Sequence, residues 1–434
     1  MSDRPNIIQI TTHDSGRHFG CYGHPTLHTP NVDRLASEGV KLTNYFCTAP
    51  ICCASRASQL TGLYPQTNGL MQLCFGPNAY EIRDDVPHMA NLLKAAGYRT
   101  HLIGKQHEVP CEDRLDFDSV RVARGKKYYY AEGTVVAAEA RTFLLNEALS
   151  EQPFYMQTGL YETHTHMAKF DFAGAEPDTS KGVEIPPHLA DTPMSRAAMA
   201  GFQGLVRQAD DAVGVILDAL RESGLDENTI VVFTTDHGIE IPRAKWHLYD
   251  PGIGIACVMR YPAGGIAGGR DNDLLLSNVD YMPTMLTLAG IETPDHVQGL
   301  SFAHTLTQNV PEPVRDAVYG MFHGTHSRCV RTRRHKFIRN FDIALRPMRL
   351  PATYEDLLTK NLCNETELYD LDADSVEFND LSRDPAHAST IARLDGMLWE
   401  WLESAGDPLL EGPIRKPVYE RAIAQYEKWR RGRQ

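Results

Sequence analysis

Asn6–Thr12 is an apolar, β-branched run behind Pro5 and predicts a buried strand that ends at His13-Asp14. Asn31–Gly39 follows Pro30, carries Val32, Leu35 and Ala36 at helical spacing, and is closed by a glycine. Val40–Phe46 reads as extended, Ala57–Leu60 as a short helix, and His88–Ala96 as an amphipathic helix ended by Gly97. Arg99–Ile103, Pro153–Leu160 and Thr229–Thr234 predict further strands. Between them, Gly133–Glu151, Met199–Gly224 and Val279–Ala289 predict helices. In the longest, Val206, Ala209, Val213, Ile216, Leu217 and Leu220 share one face. Strands alternating with helices in this way imply an α/β fold whose sheet is rich in parallel strands and covered by helices on both faces.

The pattern changes near Val318. Val318–Phe322, Ser327–Val330, Lys336–Arg339 and Glu367–Leu371 are short strand candidates without intervening helices, followed by an amphipathic helix, Ala386–Ser404. This predicts a main domain over 1–317 and a smaller α+β subdomain over 318–434 built on an antiparallel sheet. The last stretch, Pro417–Gln434, is charged and places Tyr419, Ile423, Tyr426 and Trp429 at helical spacing. It reads either as a helix on its own chain or as a contact between copies of a homo-oligomer.

Composition narrows the function. The chain has 434 residues, with 43 Lys+Arg against 56 Asp+Glu, a formal charge of −13. That balance excludes a general nucleic-acid surface, which needs clustered positive charge. No run of about 18 apolar residues suggests a membrane span. No secretory signal is visible, and nine cysteines are spread through a long chain, so free thiols and a cytoplasmic location are expected.

In an open parallel sheet, ligands bind beyond the carboxyl ends of the strands. Four predicted strands end in titratable residues: His13-Asp14, Lys105-Gln106-His107, Glu162-Thr163-His164 and Asp236-His237. Asp and His side by side suit a divalent metal, with carboxylate oxygen and imidazole nitrogen as donors. Lysine and histidine suit binding and proton transfer around an oxyanion. Cys52 lies just before the predicted helix at 57–60, and a helix start favours anions. By spacing alone the pair Cys52-Cys53 equally fits a structural site.

Cys52-x-Ala54-Ser55-Arg56-x-x-x-Leu60-Thr61-Gly62 resembles the sulfatase signature. Gly97-Tyr98-x-Thr100-x-x-Ile103-Gly104-Lys105-x-His107 is similar to that family's second block. Thr235-Asp236-His237-Gly238 is similar to its metal block, and Lys245-Trp246-x-Leu248-Tyr249-Asp250-Pro251-Gly252 to the segment with its last active-site lysine. The resemblance spans nearly the whole chain, and its length and its 104–107 and 367–371 segments are similar to the heparan N-sulfatase (sulfamidase) branch. It implies an alkaline-phosphatase-like fold with a smaller C-terminal domain. It also implies that a maturation enzyme converts Cys52 to formylglycine. In the hydrated aldehyde one hydroxyl attacks sulfur, and the other then drives release of sulfate. His13, Asp14, Asp236, His237 and modified Cys52 would be the metal ligands. Arg56 would orient the formylglycine. Lys105 and His107 would stand beside it, His107 as the base for sulfate release. His164 and Lys245 would hold the sulfate and protonate the leaving group.

Two departures stand out. His13 occupies a position where the family has aspartate, which softens the metal site; calcium is the expected ion, with manganese and zinc open. Ala54 stands where proline is commoner, which bears on recognition by the maturation enzyme. The implied reaction is hydrolysis of a sulfate ester or sulfamate, of a sugar in the first reading. The alternatives are a phosphonate monoester or phosphodiester hydrolase of the same superfamily and a catalytically silent sugar-binding relative. His166, Arg346 and Arg349 are candidate contacts for substrate anions.

Overall fold

The computed structural model describes residues 4–121, 132–164, 176–308, 312–342 and 364–431. His166, Arg346 and Arg349 lie outside them. The strands are β1 (Asn6–Thr12), β2 (Val40–Leu42), β3 (Tyr45–Phe46), β4 (Arg99–Gly104), β5 (Ser119–Arg121), β6 (Phe154–Gly159), β7 (Thr229–Thr235), β8 (Cys257–Arg260), β9 (Arg270–Asn272), β10 (Leu276–Ser277), β11 (Val318–Phe322), β12 (Ser327–Arg331), β13 (His335–Asn340) and β14 (Thr366–Asp370).

The central sheet has the order β5-β4-β6-β1-β7-β8-β2-β9. Its first five strands are mutually parallel. β8 runs antiparallel to both β7 and β2, and β9 returns parallel to β2. The sheet is thus mixed but parallel-rich, with the alkaline-phosphatase-like architecture of a helix-covered sheet and a smaller antiparallel one. β3 and β10 form a separate parallel pair.

Side-chain alternation in β1 explains the two cores. Ile7 enters the core on one face, while Ile8 and Ile10 enter the core on the other. On the second face pack the helices Pro30–Glu38, Gly133–Asn146 and Pro193–Glu222, through Leu35, Phe143, Phe202 and Val213 among others. On the first face lies the helix Cys52–Thr61, and its core continues into the smaller domain through Val318, Phe337, Leu368 and Leu398. That domain is the antiparallel sheet β11-β12-β13-β14 with the helix Ala388–Ser404 against it.

Three helices differ from expectation. The helix expected at 57–60 begins at Cys52, so Cys52 is its first residue rather than one before it. Cys52, Cys53, Ala54 and Ser55 are small enough to let this turn sit fully buried. The long helix starts at Pro193, not Met199, because Thr192 caps it: the Thr192 hydroxyl accepts from Ser195 N at 3.1 Å, with proline at the first helical position. The helix from Gly133 ends at Asn146, not Glu151. Its amino end is fixed where Gly133 N donates to the Glu162 carboxylate at 2.7 Å.

Candidate active site

The register of the parallel strands brings their carboxyl ends to one level. Gly104 pairs with Gly159, Gly159 with Thr11, and Thr11 with Thr234. The chain leaving β1, β4, β6 and β7 therefore delivers His13-Asp14, Lys105 and His107, His164, and Asp236-His237 to a common rim. Gly159 permits this closeness: a Cβ there would stand 1.8 Å from the Lys105 carbonyl oxygen. Gly238, after His237, is equally constrained, since a Cβ would lie 1.9 Å from the Pro251 carbonyl oxygen.

Asp236 organises the floor of the site. Its Oδ1 accepts from the backbone N of both Asp14 and His237, each at 2.9 Å. Its Oδ2 accepts from Arg56 Nε at 2.9 Å, and Arg56 Nη2 also donates to Thr12 O at 3.2 Å. The Ser55 hydroxyl donates to Asp236 O. The signature Ser55-Arg56 thereby ties the nucleophile helix to the ends of β1 and β7.

His13, Asp14, Asp236 and His237 are buried, with one potential ligand atom from each within 4.8 Å of the others. His13 Nδ1 contacts Asp14 Oδ1 and lies 3.5 Å from Asp236 Oδ2. His237 Nδ1 donates to Gly238 O at 2.8 Å, which turns Nε2 inward to 3.1 Å from Asp14 Oδ1. His13 Nε2 is buried with no hydrogen-bond partner among the described residues, and His237 Nε2 is buried facing Asp14. Two carboxylates and two inward imidazole nitrogens in such a space are a donor set that fits a divalent cation. His13 belongs also to a second group, with Cys52 and His107.

The opposite wall is cationic. Lys105 Nζ lies 4.7 Å from the Tyr161 ring centre, and Tyr161 stacks on His164 at 5.3 Å. His164 in turn packs edge-on against His13 at 4.5 Å. His107 is buried 5.5 Å from His13, and the exposed ring of Phe75 stacks on it at 5.0 Å. Lys245 Nζ donates to Asp14 Oδ2 at 2.6 Å and to Glu240 Oε2 at 3.1 Å. Burial opposes charge on Lys245, but Asp14 and Glu240 outweigh it and raise its pKa above the usual lysine range. For Lys105 burial wins: with Arg56 adding to it, burial outweighs Cys52, Asp14 and Asp236 and lowers the pKa to about 8. Burial, with Lys105 and Arg56, also keeps His107 well below the ordinary histidine value. The Cys52 thiol, buried at the centre, is pushed well up.

The structure thus gathers Cys52, Arg56, Lys105, His107, His164, Lys245, His13, Asp14, Asp236 and His237 around one point. Sequence reasoning passed over Glu240, Phe75 and Glu108. Glu240 could have been found, as it stands three residues after His237 in the same turn. Glu108 is fully buried, accepts from His107 N at 3.0 Å, and follows a residue already singled out. Phe75 carries no sequence signal, because only folding brings it over His107.

Comparison with known proteins places this geometry. The sulfatase family model matches residues 5–291, and the chain belongs to that family. It is a sulfuric ester hydrolase by fold and site. Residues 243–404 match a second model, the C-terminal region of N-sulphoglucosamine sulphohydrolase. An ulvan-active sulfatase of Formosa agariphila is 28% identical, over 96% of this chain and 84% of its own. Human N-sulphoglucosamine sulphohydrolase is 26% identical over 94% of this chain and 92% of its own. Among solved structures, a putative sulfatase from Bacteroides fragilis superposes with a TM-score of 0.76 at 22% identity, covering 96% of this chain and 99% of that one. Another, described in complex with its substrate D-glucosamine-2-N,6-O-disulfate, gives 0.74 at 21% identity, covering 95% and 99%. At such identities these two likenesses speak for the fold.

Proposed function

We propose that the protein removes sulfate from a sulfated sugar, as an ester or a sulfamate, through a formylglycine made from Cys52 by a maturation enzyme. The observation that carries this reading is the packing of His107, His164 and Lys245 against the buried Asp/His cluster, with Lys105 over Tyr161 and Cys52 grouped with His13 and His107. The sugar specificity rests on the family match of residues 243–404 and on the names of the relatives.

His13, Asp14, Asp236 and His237, with residue 52, would hold one divalent cation. We assign calcium, on the two hard carboxylates; manganese and zinc are what metal analysis would report if the imidazoles dominate. The bound cation would supply Lewis-acid polarisation and make the nucleophile's hydroxyl easier to ionise. Arg56 holds the formylglycine and the Asp236 carboxylate in register. Lys105, Lys245 and His164 bind the sulfate oxygens, and the two ammonium groups are in place before reaction. His164 and Lys245 would give the leaving oxygen or nitrogen its proton. His107, neutral when buried, accepts the proton whose loss releases sulfate from residue 52.

The test is sulfate release by matured, metal-analysed protein from N-sulfoglucosamine, glucosamine-6-sulfate and ulvan, beside turnover of an aryl phosphonate monoester. At least one sulfated sugar should be turned over about 100-fold faster than the phosphonate, a barrier difference of about 2.7 kcal/mol. A preference for the phosphonate would move the protein to the related hydrolase class. No turnover with an unmodified Cys52 would make it a silent relative.

A further inference from the structure

Glu240 is a carboxylate at the edge of an anion pocket, and the cluster of His13, Asp14, Asp236 and His237 does not include it. Its place is fixed by its neighbours. Ile239 and Ile241 are buried on either side of it, and Lys245 N donates to Ile239 O at 3.0 Å, which folds the turn 239–245 back on itself. The Glu240 side chain, 9% exposed, meets Lys245 across that turn, with Oε2 accepting from Nζ at 3.1 Å. Lys245 Nζ also donates to Asp14 Oδ2 at 2.6 Å, so one ammonium is shared between two carboxylates. One ligand atom each of Glu240, Asp14 and His164 lie within 4.8 Å of one another. Glu240 therefore stands beside both Lys245 and His164, two of the groups assigned to the sulfate oxygens.

We infer that Glu240 sets the charge this pocket accepts: it admits monoanionic esters and rejects dianions, phosphate monoesters above all. The inference rests on the reading of the site as a sulfate pocket. A sulfate ester or sulfamate carries one negative charge around neutral pH. A phosphate monoester gives up its second proton near pH 6, at about the value of a phosphorylated side chain, and is a dianion above it. The two tetrahedral groups are nearly the same size, so shape separates them poorly and charge has to. An ammonium shared between two carboxylates has less attraction left for a second negative charge on the ligand. The Glu240 carboxylate also repels that charge directly, and in a site this closed the repulsion is screened far less than in water. Asp14 is committed to the metal cluster, which leaves Glu240 as the residue whose charge acts on the ligand alone. Selectivity then comes from a repulsive element built beside the attractive ones.

The experiment compares kcat/KM of the matured wild type, Glu240→Gln and Glu240→Asp at about pH 8, where the phosphate is a dianion. The substrates are phenyl sulfate, phenyl methylphosphonate and phenyl phosphate, which share a leaving group and differ in charge. Glu240→Gln should raise turnover of phenyl phosphate about tenfold and lower that of the two monoanions about threefold, since Lys245 keeps an acceptor but loses a charged partner. Glu240→Asp keeps the charge and should keep the wild-type order of the three. Equal losses for all three substrates in Glu240→Gln would make Glu240 a positioning residue for Lys245 and overturn the inference, as would an unchanged ratio of dianion to monoanion. A wild type that turns over the phosphonate but not the sulfate would end the sulfatase reading, while the phosphonate and phosphate pair would still test Glu240. Calorimetry on the Cys52→Ala chain asks the same question without turnover. Adding Glu240→Gln should tighten phenyl phosphate about tenfold and leave phenyl sulfate no tighter. A ratio of affinities that does not move would overturn the inference equally. Melting temperatures report whether each variant folds, and Glu240→Ala removes the same charge where Glu240→Gln does not fold.

Discussion

Lys336 and Glu377, both buried, form an ion pair at 2.8 Å where the smaller domain meets the segment that carries Lys245. Lys336 also reaches Asp250, whose backbone N donates to Glu377 Oε2 at 2.6 Å. Arg243 Nη2 donates to Glu377 O at 2.7 Å. Two residues before Lys245 and five after it, the loop is thus held by one carboxylate residue of the smaller domain. Burial raises the Glu377 pKa to about 7 despite Lys336, while Lys336 and Arg331 overcome burial and hold Asp250 below the usual carboxylate range. Lys336→Met leaves buried carboxylates short of a partner and should cost about 3 kcal/mol. It should also lower kcat/KM for a sulfate ester about tenfold by loosening Lys245. Calorimetry and steady-state kinetics check both. A variant as stable and as active as the wild type would show that the clamp does not set Lys245.

Cys52→Ala should abolish turnover and leave the fold intact. Among the described residues the Cys52 Sγ has one sulfur neighbour, Cys53 Sγ at 4.0 Å, and a methyl group fits the start of a helix lined by Cys53, Ala54 and Ser55. Circular dichroism and the melting temperature should match the wild type while sulfate release falls to background. Surviving activity would mean another nucleophile.

His13→Asp should raise calcium affinity, because it replaces an imidazole by a hard oxygen beside Asp14 and Asp236. An increase of about tenfold by calorimetry is expected, with a fall in zinc affinity. Unchanged affinities would place His13 outside the ligand set.

Stability should fall in mild acid. Burial lowers the pKa of His88, His188 and His323 to about 3 in the folded protein. In the unfolded chain these imidazoles take up protons near pH 6.5. Between those values the unfolded state binds more protons, so stability is full above about pH 6.5 and is lost progressively toward pH 3. At pH 5 each of the three costs up to about 2 kcal/mol. His88 caps the helix Met89–Ala95 by accepting from Ala90 N at 3.1 Å, a role only neutral imidazole fills. His88→Asn retains an acceptor and should flatten the melting-temperature profile between pH 7 and 5. An identical slope in the variant would remove His88 from this account.

The main sheet was legible because β1, β6 and β7 are buried on both faces and so read as mainly apolar runs broken by single polar residues such as Gln9 and Gln157, while β4 shows only Leu102-Ile103. Their polar ends were legible for the same reason: the switch from apolar to Asp, His and Lys marks where each strand leaves the core. β8 and β9 were not, since Cys257–Arg260 and Arg270–Asn272 are short and run beside strands distant in sequence. The helix start at Cys52 was missed because small buried residues give no amphipathic contrast. The clamp through Glu377 joins residues more than a hundred positions apart, and no local pattern encodes it.

The account stands on the chemistry of residue 52. The tryptic peptide spanning residues 42–56, taken from a preparation that releases sulfate, reports it by mass. The predicted mass is about 18 Da below that of the unmodified peptide, with fragmentation placing the change at position 52 rather than at Cys47 or Cys53. An active preparation whose peptide carries three intact cysteines would contradict the formylglycine mechanism.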